Sequence, residues 1–359
     1  MTSKTVKQIL EAETFSKEDI VLLLRSQGIE KEALFEKAAE TKRKYVGNKV
    51  YFRGLIEYSN HCVKNCYYCG LRKDNKNLTR YTLTEEEVLA AAAFAEREKY
   101  ASLVLQSGEM SSPKFTEQIT HLLHEILKTS NLGITLSLGE QSEETLLAWK
   151  NAGARRYLIR IETSNPELYA KIHPQDRLHD YKKRVEMLSL LRKLNYQTGT
   201  GVMIGLPFQT VEDLADDLLF FQRKDVDMVG MGPYLEHADT PLYQYRDTLL
   251  LQDERFELTL KMIAVLRIMM KDINIVSTTA MQAIDKLGRE KALTVGANII
   301  MPNLTPQQYR ENYMIYANKP CIHEDAEKCK HCLEARIRYA GDTIGYGEYG
   351  DSKHFFSKR

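Results

Sequence analysis

From residue 50 onward, short apolar runs alternate with longer amphipathic stretches. The short runs have the length of buried strands, and the stretches between them carry apolar residues at helical spacing. Strands that alternate with helices pair in parallel through right-handed crossovers. The order therefore predicts a (β/α)8 TIM-type barrel, with a doubly wound open sheet as the structural alternative. The predicted strands are residues 50–57, 103–106, 134–138, 156–162, 198–204, 228–230, 275–278 and 298–301.

Two segments flank the predicted barrel. Residues 7–13, 17–25 and 31–46 show helical spacing, and Gly28 and Gly47 are predicted helix stops. The tail is polar, with scattered lysines and histidines, and we expect it to pack outside the barrel. We therefore divide the chain into an N-terminal helical segment (1–47), the barrel (48–320) and a short C-terminal extension (321–359).

Charge and composition narrow the classes of partner and compartment. The 50 basic and 49 acidic residues give a net charge of +1, so no long-range field attracts nucleic acid or an anionic membrane. No apolar run is long enough to span a bilayer, and the first residues lack the apolar core of a signal peptide. We expect a cytoplasmic protein that binds neither nucleic acid nor membrane. In a reducing compartment, six cysteines in two tight groups favour metal or cluster ligation over disulfides.

Polar side chains follow most of the predicted strands. In a barrel of this kind, chemistry takes place at the carboxyl ends of the strands. Buried strand ends would not need so many hydrogen-bonding groups, so the sequence predicts a lined cavity there. The residues at these ends are Glu57, 106–109, Gly139, Glu140, 160–162, Gly205, Pro233, Thr278, Thr279 and 301–303.

Cys62, Cys66 and Cys69 have C-x3-C-x2-C spacing directly after the first predicted strand. A 4Fe–4S cluster held entirely by protein needs four cysteines, so three leave one iron open to a small molecule. A zinc site that includes His61 is an alternative, although the first spacing is unusual for zinc. Three buried free cysteines are a further alternative. The motif therefore favours a cluster with one open iron.

This spacing, with the aromatic Tyr68 before the last cysteine, resembles the radical S-adenosylmethionine (SAM) superfamily. Later segments are similar to the HydE family of FeFe-hydrogenase maturases, in the branch that also holds biotin synthase and methylornithine synthase. The resemblance runs from about Tyr45 to Cys332. The segments that carry it are 69–72 (CGLR), 105–109 (LQSGE), 135–140 (TLSLGE), 160–163 (RIET), 205–207 (GLP), 278–281 (TTAM) and 296–303 (GANIIMPN).

The resemblance implies a set of SAM contacts. Glu162 and Arg184 match positions that contact SAM in the family, where a carboxylate binds hydroxyls or the amine and a guanidinium binds the carboxylate. The segment after the second strand matches the loop that binds the SAM amine, but only Gly108 of that loop is glycine here. The residues implied to bind SAM are Tyr68, Gln106, Ser107, Glu109, Glu162 and Arg184.

The resemblance also implies a substrate cavity. Arg53 and Arg160 lie in predicted strands, where a buried charge needs a partner, either a carboxylate such as Glu57 or Glu162, or an anionic ligand. Some close relatives have histidine where this chain has Ile161, which removes a titratable group near the cavity. The residues implied to line the cavity are Arg53, Arg160, Thr278, Thr279, Met301 and Tyr313.

A second cysteine group has x7 and x2 spacing and comprises Cys321, Cys329 and Cys332. The spacing matches the accessory cluster of some HydE proteins, so the resemblance implies a second iron–sulfur cluster. Because the group follows the eighth strand, we expect it near the surface and away from the chemistry. Unligated surface cysteines, or zinc bound with His331, are the alternatives.

Together these features predict an enzyme that cleaves SAM to a 5′-deoxyadenosyl radical. The resemblance further implies a small sulfur-containing organometallic substrate, and a role in assembling the diiron cluster of FeFe hydrogenase. It also implies an electron donor protein and companion hydrogenase maturases as partners. The alternatives are an amino-acid mutase of the methylornithine synthase type, in which Glu140 would meet the substrate ammonium, and a non-catalytic metal carrier.

Overall fold

The computed structural model describes residues 4–358, leaving out the side chains of Lys328 and Cys329. Its strands are β1 (Lys49–Phe52), β2 (Gly54–Ser59), β3 (Ser102–Ser107), β4 (Gly133–Ser137), β5 (Ala154–Leu158), β6 (Gln197–Thr200), β7 (Met203–Ile204), β8 (Met228–Val229), β9 (Gly232–Pro233), β10 (Asn274–Ile275), β11 (Ile299–Ile300) and β12 (Thr343–Ile344).

Helices alternate with these strands. They are α1 (Val6–Leu10), α2 (Lys17–Arg25), α3 (Gly28–Tyr45), α4 (Glu85–Arg97), α5 (Pro113–Thr129), α6 (Glu143–Asn151), α7 (Pro166–Ile172), α8 (Tyr181–Lys193), α9 (Val211–Lys224), α10 (Gln252–Met269), α11 (Thr279–Ile284), α12 (Gly288–Thr294), α13 (Gln307–Arg310), α14 (Ala326–Tyr339) and α15 (Lys353–Ser357), with a 3₁₀ helix at Pro241–Thr248. No helix in the part of the chain that the structure describes is long and apolar enough to cross a membrane.

The main sheet is a curled half-barrel of seven parallel strands in the order β10-β8-β6-β5-β4-β3-β2. Each strand pairs with its neighbour in the same direction, for example Leu103 with Ile134 across β3 and β4. Helices cover the outside of the sheet, and their caps follow from the sequence. Thr84 and Thr210, for instance, each accept a backbone N–H three residues on, which fixes where α4 and α9 begin. The result is a TIM-like α/β fold.

The predicted closed barrel is wrong. The eighth predicted strand, residues 298–301, forms β11, which does not belong to the main sheet. Strand β11 pairs with β1 and β12 lies on the other side of β1, in a separate three-stranded sheet. Among the described residues, the isolated pairs Val276–Ile299 and Leu55–Asn303 bridge the two sheets. The regular strand is two residues long, and Pro302 just beyond it has no N–H to extend the ladder.

The N-terminal helices pack against the outside of the half-barrel at α9 and α10. Their apolar residues, such as Leu23 and Leu34, belong to the same buried core as the sheet. Salt bridges join Lys17 to Asp216 at 2.5 Å, Arg25 to Glu212 at 2.7 Å and Lys31 to Glu257 at 2.7 Å. Gly28, predicted as a helix stop, is instead the first residue of α3.

Residues 349–352 close the half-barrel at the amino ends of its strands, and we name this segment the floor. Arg156, in β5, donates to the carboxylate of Asp351 at 2.5 Å. Arg53, between β1 and β2, donates through Nη2 to the carbonyl of Gly350 at 3.0 Å. Part of the tail therefore packs across the end of the sheet, and not only outside it.

Candidate active site

The predicted cysteine motif forms a loop at the carboxyl end of β2, and the end of α7 and the segment after it hold this loop in place. The Tyr67 N–H donates to the Ile172 carbonyl at 3.1 Å, and the Asn65 N–H donates to Nε2 of His179 at 3.0 Å. The ammonium of Lys64 donates to the carbonyl of Leu178. These bonds fix the backbone between the cysteines in one conformation.

Cys62, Cys66 and Cys69 are partly buried in this loop, and charge on the Cys62 thiolate acts on the other two cysteines. Burial raises the pKa of the Cys66 thiol to about 12, and it also raises the pKa of Cys62 and of Cys69. The thiols are therefore protonated at neutral pH, and binding a metal would release protons. The Glu109 N–H donates to the Cys62 sulfur at 3.3 Å.

No three His, Cys, Asp or Glu side chains among the described residues are gathered as a site for a metal ion. A cubane cluster is bound differently, because each ligand sulfur sits on its own iron. The three thiols of the loop therefore need only face a common space, without converging on one point.

Two acids and two bases form a buried ion-pair cluster behind the loop. Arg184 Nη1 lies 2.9 Å from Glu109 and 2.9 Å from Glu140. Lys64 Nζ lies 3.1 Å from each of the same two carboxylates. Burial alone would lower the pKa of Arg184, but the two carboxylates raise it above its ordinary value. The cluster ties the cysteine loop to β3, β4 and α8.

Glycines let the segments beside the cysteine loop approach closely. A Cβ at Gly108 would lie 2.3 Å from the His61 carbonyl oxygen, so only glycine fits between β3 and the loop. Gly139 has a φ of +77°, and a Cβ there would meet the side chain of Glu109 at 2.2 Å. The one glycine of the predicted amine loop thus has a packing role in the structure.

A cavity of about 290 Å³ opens beside Cys69 at the carboxyl ends of the strands. Its walls come from many elements of the half-barrel and from the segment between α13 and α14, as expected for a TIM-like active site. The predicted site residues that line it are Tyr68, Cys69, Gln106, Arg160, Glu162, Thr278, Thr279, Met301 and Cys321.

Arg160 and Glu162 form a bidentate ion pair in the cavity wall. Arg160 Nε lies 3.0 Å from both carboxylate oxygens of Glu162, and Nη2 lies 2.9 Å from one of them. Of the alternatives considered for Arg160, a carboxylate partner or an anionic ligand, the structure has the carboxylate of Glu162. Glu162 has a φ of +65°, a left-handed conformation that costs a non-glycine residue roughly 1–3 kcal/mol. The isolated bridge to Val202 and the pair with Arg160 hold it there.

Other predicted residues lie outside the cavity wall. Tyr313 is fully buried and its hydroxyl accepts from Gln106 at 3.3 Å, so it supports a lining residue. Ser107 donates to the neighbouring Gly108 carbonyl at 2.6 Å. Glu109 and Arg184 are occupied by the ion-pair cluster. Arg53 is the clearest departure, since it contacts the floor at the opposite end of the strands.

Sequence reasoning missed a buried ion pair in the cavity wall. Lys319 donates to one oxygen of Glu57, and Asn303 donates to the other at 3.1 Å. Lys319 also donates to the Tyr313 carbonyl at 3.0 Å. The sequence places Glu57 and Asn303 at strand ends, but Lys319 lies in an irregular segment that no sequence pattern marks. The suggested Glu57–Arg53 pair does not form.

The second cysteine group is only partly described. Cys321 lines the cavity and has a φ of +64°. Cys332 is exposed on α14, where Arg336 Nε donates to its sulfur at 3.2 Å. The side chain of Cys329 lies outside the described residues. Cys321 is thus placed against the central cavity, and not at a surface remote from it.

The chain is similar to known proteins in sequence and in fold. Residues 56–221 match the model of the radical SAM superfamily. The chain is 43% identical over 358 residues to the FeFe hydrogenase maturase subunit HydE of Thermotoga maritima, covering 99% of each chain. It is 26% identical over 298 residues to 3-methylornithine synthase of Methanosarcina acetivorans, covering 82% of this chain and 81% of the relative. The solved structure of the maturase HydG from Carboxydothermus hydrogenoformans shares the fold, with a TM-score of 0.82 and 18% identity, covering 98% of this chain and 81% of that one.

Proposed function

Because this chain belongs to the HydE family of radical SAM hydrogenase maturases, we propose that it acts on a small sulfur-containing organometallic substrate. The product would serve assembly of the diiron cluster of FeFe hydrogenase. The observation that carries the proposal is the cavity that joins Cys69 to Arg160, Thr278 and Thr279. Its volume of about 290 Å³ suits a small molecule.

The resident cofactors implied by the family are a 4Fe–4S cluster and SAM. Cys62, Cys66 and Cys69 fit the cluster, because three partly buried thiols in one short loop supply the soft sulfur ligands that it needs. When bound, the cluster supplies an electron that cleaves SAM to methionine and a 5′-deoxyadenosyl radical. The Glu109 N–H near the Cys62 sulfur would tune the cluster, since hydrogen bonds to ligand sulfurs shift its potential.

Two kinds of residue would serve SAM. The cavity next to Cys69 is lined by Tyr68, Gln106 and Glu162. These three residues would therefore contact SAM directly. Glu109 and Arg184 are paired with each other in the ion-pair cluster. We therefore propose that they act on SAM binding indirectly, by positioning the cysteine loop. Ser107, at the end of β3, completes the set of proposed SAM residues.

On the substrate side, Arg160, Thr278, Thr279 and Met301 would bind the reacting molecule. The hydroxyls of Thr279 and Tyr316 share a hydrogen bond of 2.7 Å. The hydroxyl that accepts this bond keeps its own hydrogen free to donate to a ligand. The Met301 thioether offers a soft contact for a sulfur-bearing ligand. Tyr313 would act through Gln106, whereas Arg53 lies too far along the strands to take part.

The remaining elements of the proposal rest on the family. Cys321, Cys329 and Cys332 would hold a second iron–sulfur cluster, with Cys321 bringing it to the edge of the cavity. An electron donor protein and companion maturases, of which HydG in other organisms is an example, would be the partners.

The test is an anaerobic assay of the reconstituted protein with SAM and a chemical reductant. We expect 5′-deoxyadenosine from the wild type and none from Cys66→Ala, which cannot hold the cluster. The proposed role in maturation is tested by restoring hydrogenase activity in cells that lack their own HydE. SAM cleavage without restored hydrogenase activity would contradict the proposed substrate. Absence of SAM cleavage by a cluster-loaded protein would contradict the proposed radical chemistry.

A further inference from the structure

Two surface segments, residues 72–76 and 176–179, lie against the cysteine loop and do not line the cavity. The first segment donates the Lys73 N–H to the Lys64 carbonyl at 2.8 Å. The second segment accepts the Lys64 ammonium at the Leu178 carbonyl. Because Lys64 lies between the first two cysteines of the motif, both segments contact the backbone that joins those two ligands. We name the two segments together the loop face.

The loop face carries a local excess of positive charge. Lys73, Lys76 and Arg177 are exposed, and none of them forms a salt bridge with a carboxylate in the described part of the chain. Arg72 adds a fourth, partly buried cation. The whole chain has a net charge of only +1, so this group of cations differs from the average surface. Exposed charges of one sign attract partners of the opposite sign and speed their encounter.

The two carboxylates of the loop face are hydrogen-bonded to the protein itself. Asp74 accepts from Asn65 Nδ2 at 2.7 Å. Asp176 accepts from the Leu178 N–H at 2.8 Å and from Nδ1 of His179 at 2.7 Å, since Nε2 of that ring accepts from the Asn65 N–H. These bonds hold both carboxylates beside the cysteine loop, so the exposed cations are the groups left for a docking protein.

Leu178 adds an apolar contact to the loop face. Its side chain is 41% exposed, although its carbonyl is fixed by Lys64. The neighbouring Arg177 places a cation directly beside it. Protein complexes that transfer electrons have small interfaces and form transiently. A single exposed leucine among unpaired cations suits such a complex better than a large permanent interface, which would expose more apolar surface.

We propose that the loop face is the docking surface for a small acidic protein that carries one electron, such as a flavodoxin. The carrier's role rests on the proposed function, in which cleavage of SAM consumes one electron. The surface itself rests on the unpaired cations beside the cysteine loop. In the step, the reduced carrier loses one electron to the cluster and becomes oxidised, and no bond or proton is exchanged. Electron transfer slows steeply with distance, so the carrier must dock close to the ligand loop.

The first test measures binding without turnover. Oxidised flavodoxin is titrated calorimetrically into the cluster-loaded protein at low and high salt. We expect wild-type binding to weaken as salt rises, because salt screens exposed charges. At low salt, binding should weaken about tenfold or more in the combined variant Lys73→Glu, Lys76→Glu and Arg177→Glu. The matched control reverses three exposed cations on α1, α3 and α9 and should bind as the wild type does; its changes are Lys7→Glu, Arg43→Glu and Arg223→Glu.

The second test compares two reductants in SAM cleavage. Dithionite is a small molecule that needs no docking surface, so with it the loop-face variant should form 5′-deoxyadenosine at the wild-type rate. With reduced flavodoxin at a concentration below saturation, the same variant should be slower by about tenfold or more. The corresponding glutamine variants remove the charges without reversing them. They should show a smaller loss of binding in the same order, with thermal unfolding curves that match the wild type.

Several outcomes would overturn the proposal. Unchanged flavodoxin binding in the loop-face variant, or an equal loss in the control, would remove the docking surface. Lost binding of the maturase HydG with unchanged binding of flavodoxin would assign the loop face to a companion maturase. Equal slowing with dithionite and with flavodoxin would place the effect on the cysteine loop itself. Failure of the wild type to cleave SAM with dithionite would contradict the proposed function and leave the binding result unaffected.

Discussion

The Tyr68 hydroxyl donates a hydrogen bond to Nε2 of His173, 3.1 Å away. His173 Nδ1 lies 2.9 Å from the Tyr169 carbonyl, which can only accept, so Nδ1 carries the proton and Nε2 is the acceptor. The Tyr169 ring stacks on the imidazole with centroids 3.8 Å apart. Burial lowers the pKa of His173 to about 3, which keeps the ring neutral at physiological pH. The aromatic residue before the last cysteine is therefore held from behind by a fixed acceptor.

We predict that Tyr68→Phe and His173→Leu each lower the free energy of unfolding by roughly 1–3 kcal/mol, because each leaves at least one polar group without its hydrogen-bond partner. The double variant should lose less than the sum of the two. Urea unfolding of the four proteins measures this coupling. His121→Leu, at an exposed histidine beside Glu85, is the control and should change stability by under about 1 kcal/mol. Strict additivity would mean that the hydrogen bond contributes nothing.

Arg184→Gln should destabilise the protein by roughly 3–5 kcal/mol, because it leaves Glu109 and Glu140 buried with a single cation between them. We also expect less iron to be bound on reconstitution, because Lys64 of the cysteine loop belongs to the same ion-pair cluster as Arg184. Denaturant unfolding and iron analysis measure the two effects. Arg192→Gln removes a more exposed pair with Asp225 and should change neither by a comparable amount. Equal effects in the two variants would show that burial of the ion-pair cluster adds nothing to stability or to iron binding.

Asp217 gives a prediction for pH. Burial raises its pKa to about 7, and its Oδ2 has no hydrogen-bond partner among the described residues. Because the folded pKa lies above the unfolded value, its contribution to stability is complete below about pH 4 and is lost as pH rises through about 7. Asp217→Asn keeps an acceptor for the Ser164 N–H without the charge. We expect it to be more stable than the wild type at pH 8, by about 1 kcal/mol or more.

Unfolding curves of the wild type and Asp217→Asn at pH 5 and pH 8 test this expectation. The difference in stability between the two proteins should be larger at pH 8. A constant difference would mean that Asp217 does not titrate between these values in the folded state.

Asp351→Asn should lower the free energy of unfolding by roughly 3–5 kcal/mol, since it leaves the buried Arg156 without its counter-charge. Burial by itself would raise the pKa of Asp351, but Arg156 and neighbouring donors lower it, so this stabilisation should weaken as the carboxylate is protonated in acid. Thermal unfolding at neutral and acid pH measures both effects. Asp247→Asn, whose side chain is 80% exposed, should behave as the wild type, and matching curves for the two variants would contradict the role of the floor.

Much of the fold followed from the sequence because its signals are local. The strands predicted at 103–106 and 134–138 coincide with β3 and β4, since buried apolar runs of that length have few alternatives. The cysteine motif is equally local, because its ligands lie in one loop. Closure of the barrel was mispredicted because pairing of the eighth strand depends on register and on a proline, which apolar content does not encode.

Other parts of the site depend on contacts between distant residues. Lys319 and Arg289 enter the cavity from irregular or short segments, and no spacing marks them in the sequence. Arg53 was misplaced for a related reason, because a polar residue in a strand can point toward either end. The structure shows that the Arg53 guanidinium is bound at the floor, because it donates to the carbonyl of Gly350.

The floor also bears on how the protein folds during synthesis. Arg53 and Gly350 are 297 residues apart in sequence, and Arg156 and Asp351 are 195 apart. A growing chain that has formed β2 through β10 still lacks the Gly350 and Asp351 acceptors of these two arginines. Contacts of such long range form late and leave partly folded chains prone to aggregation. We therefore expect the half-barrel to reach its full stability only after residues 349–352 have been made and have packed against Arg53 and Arg156.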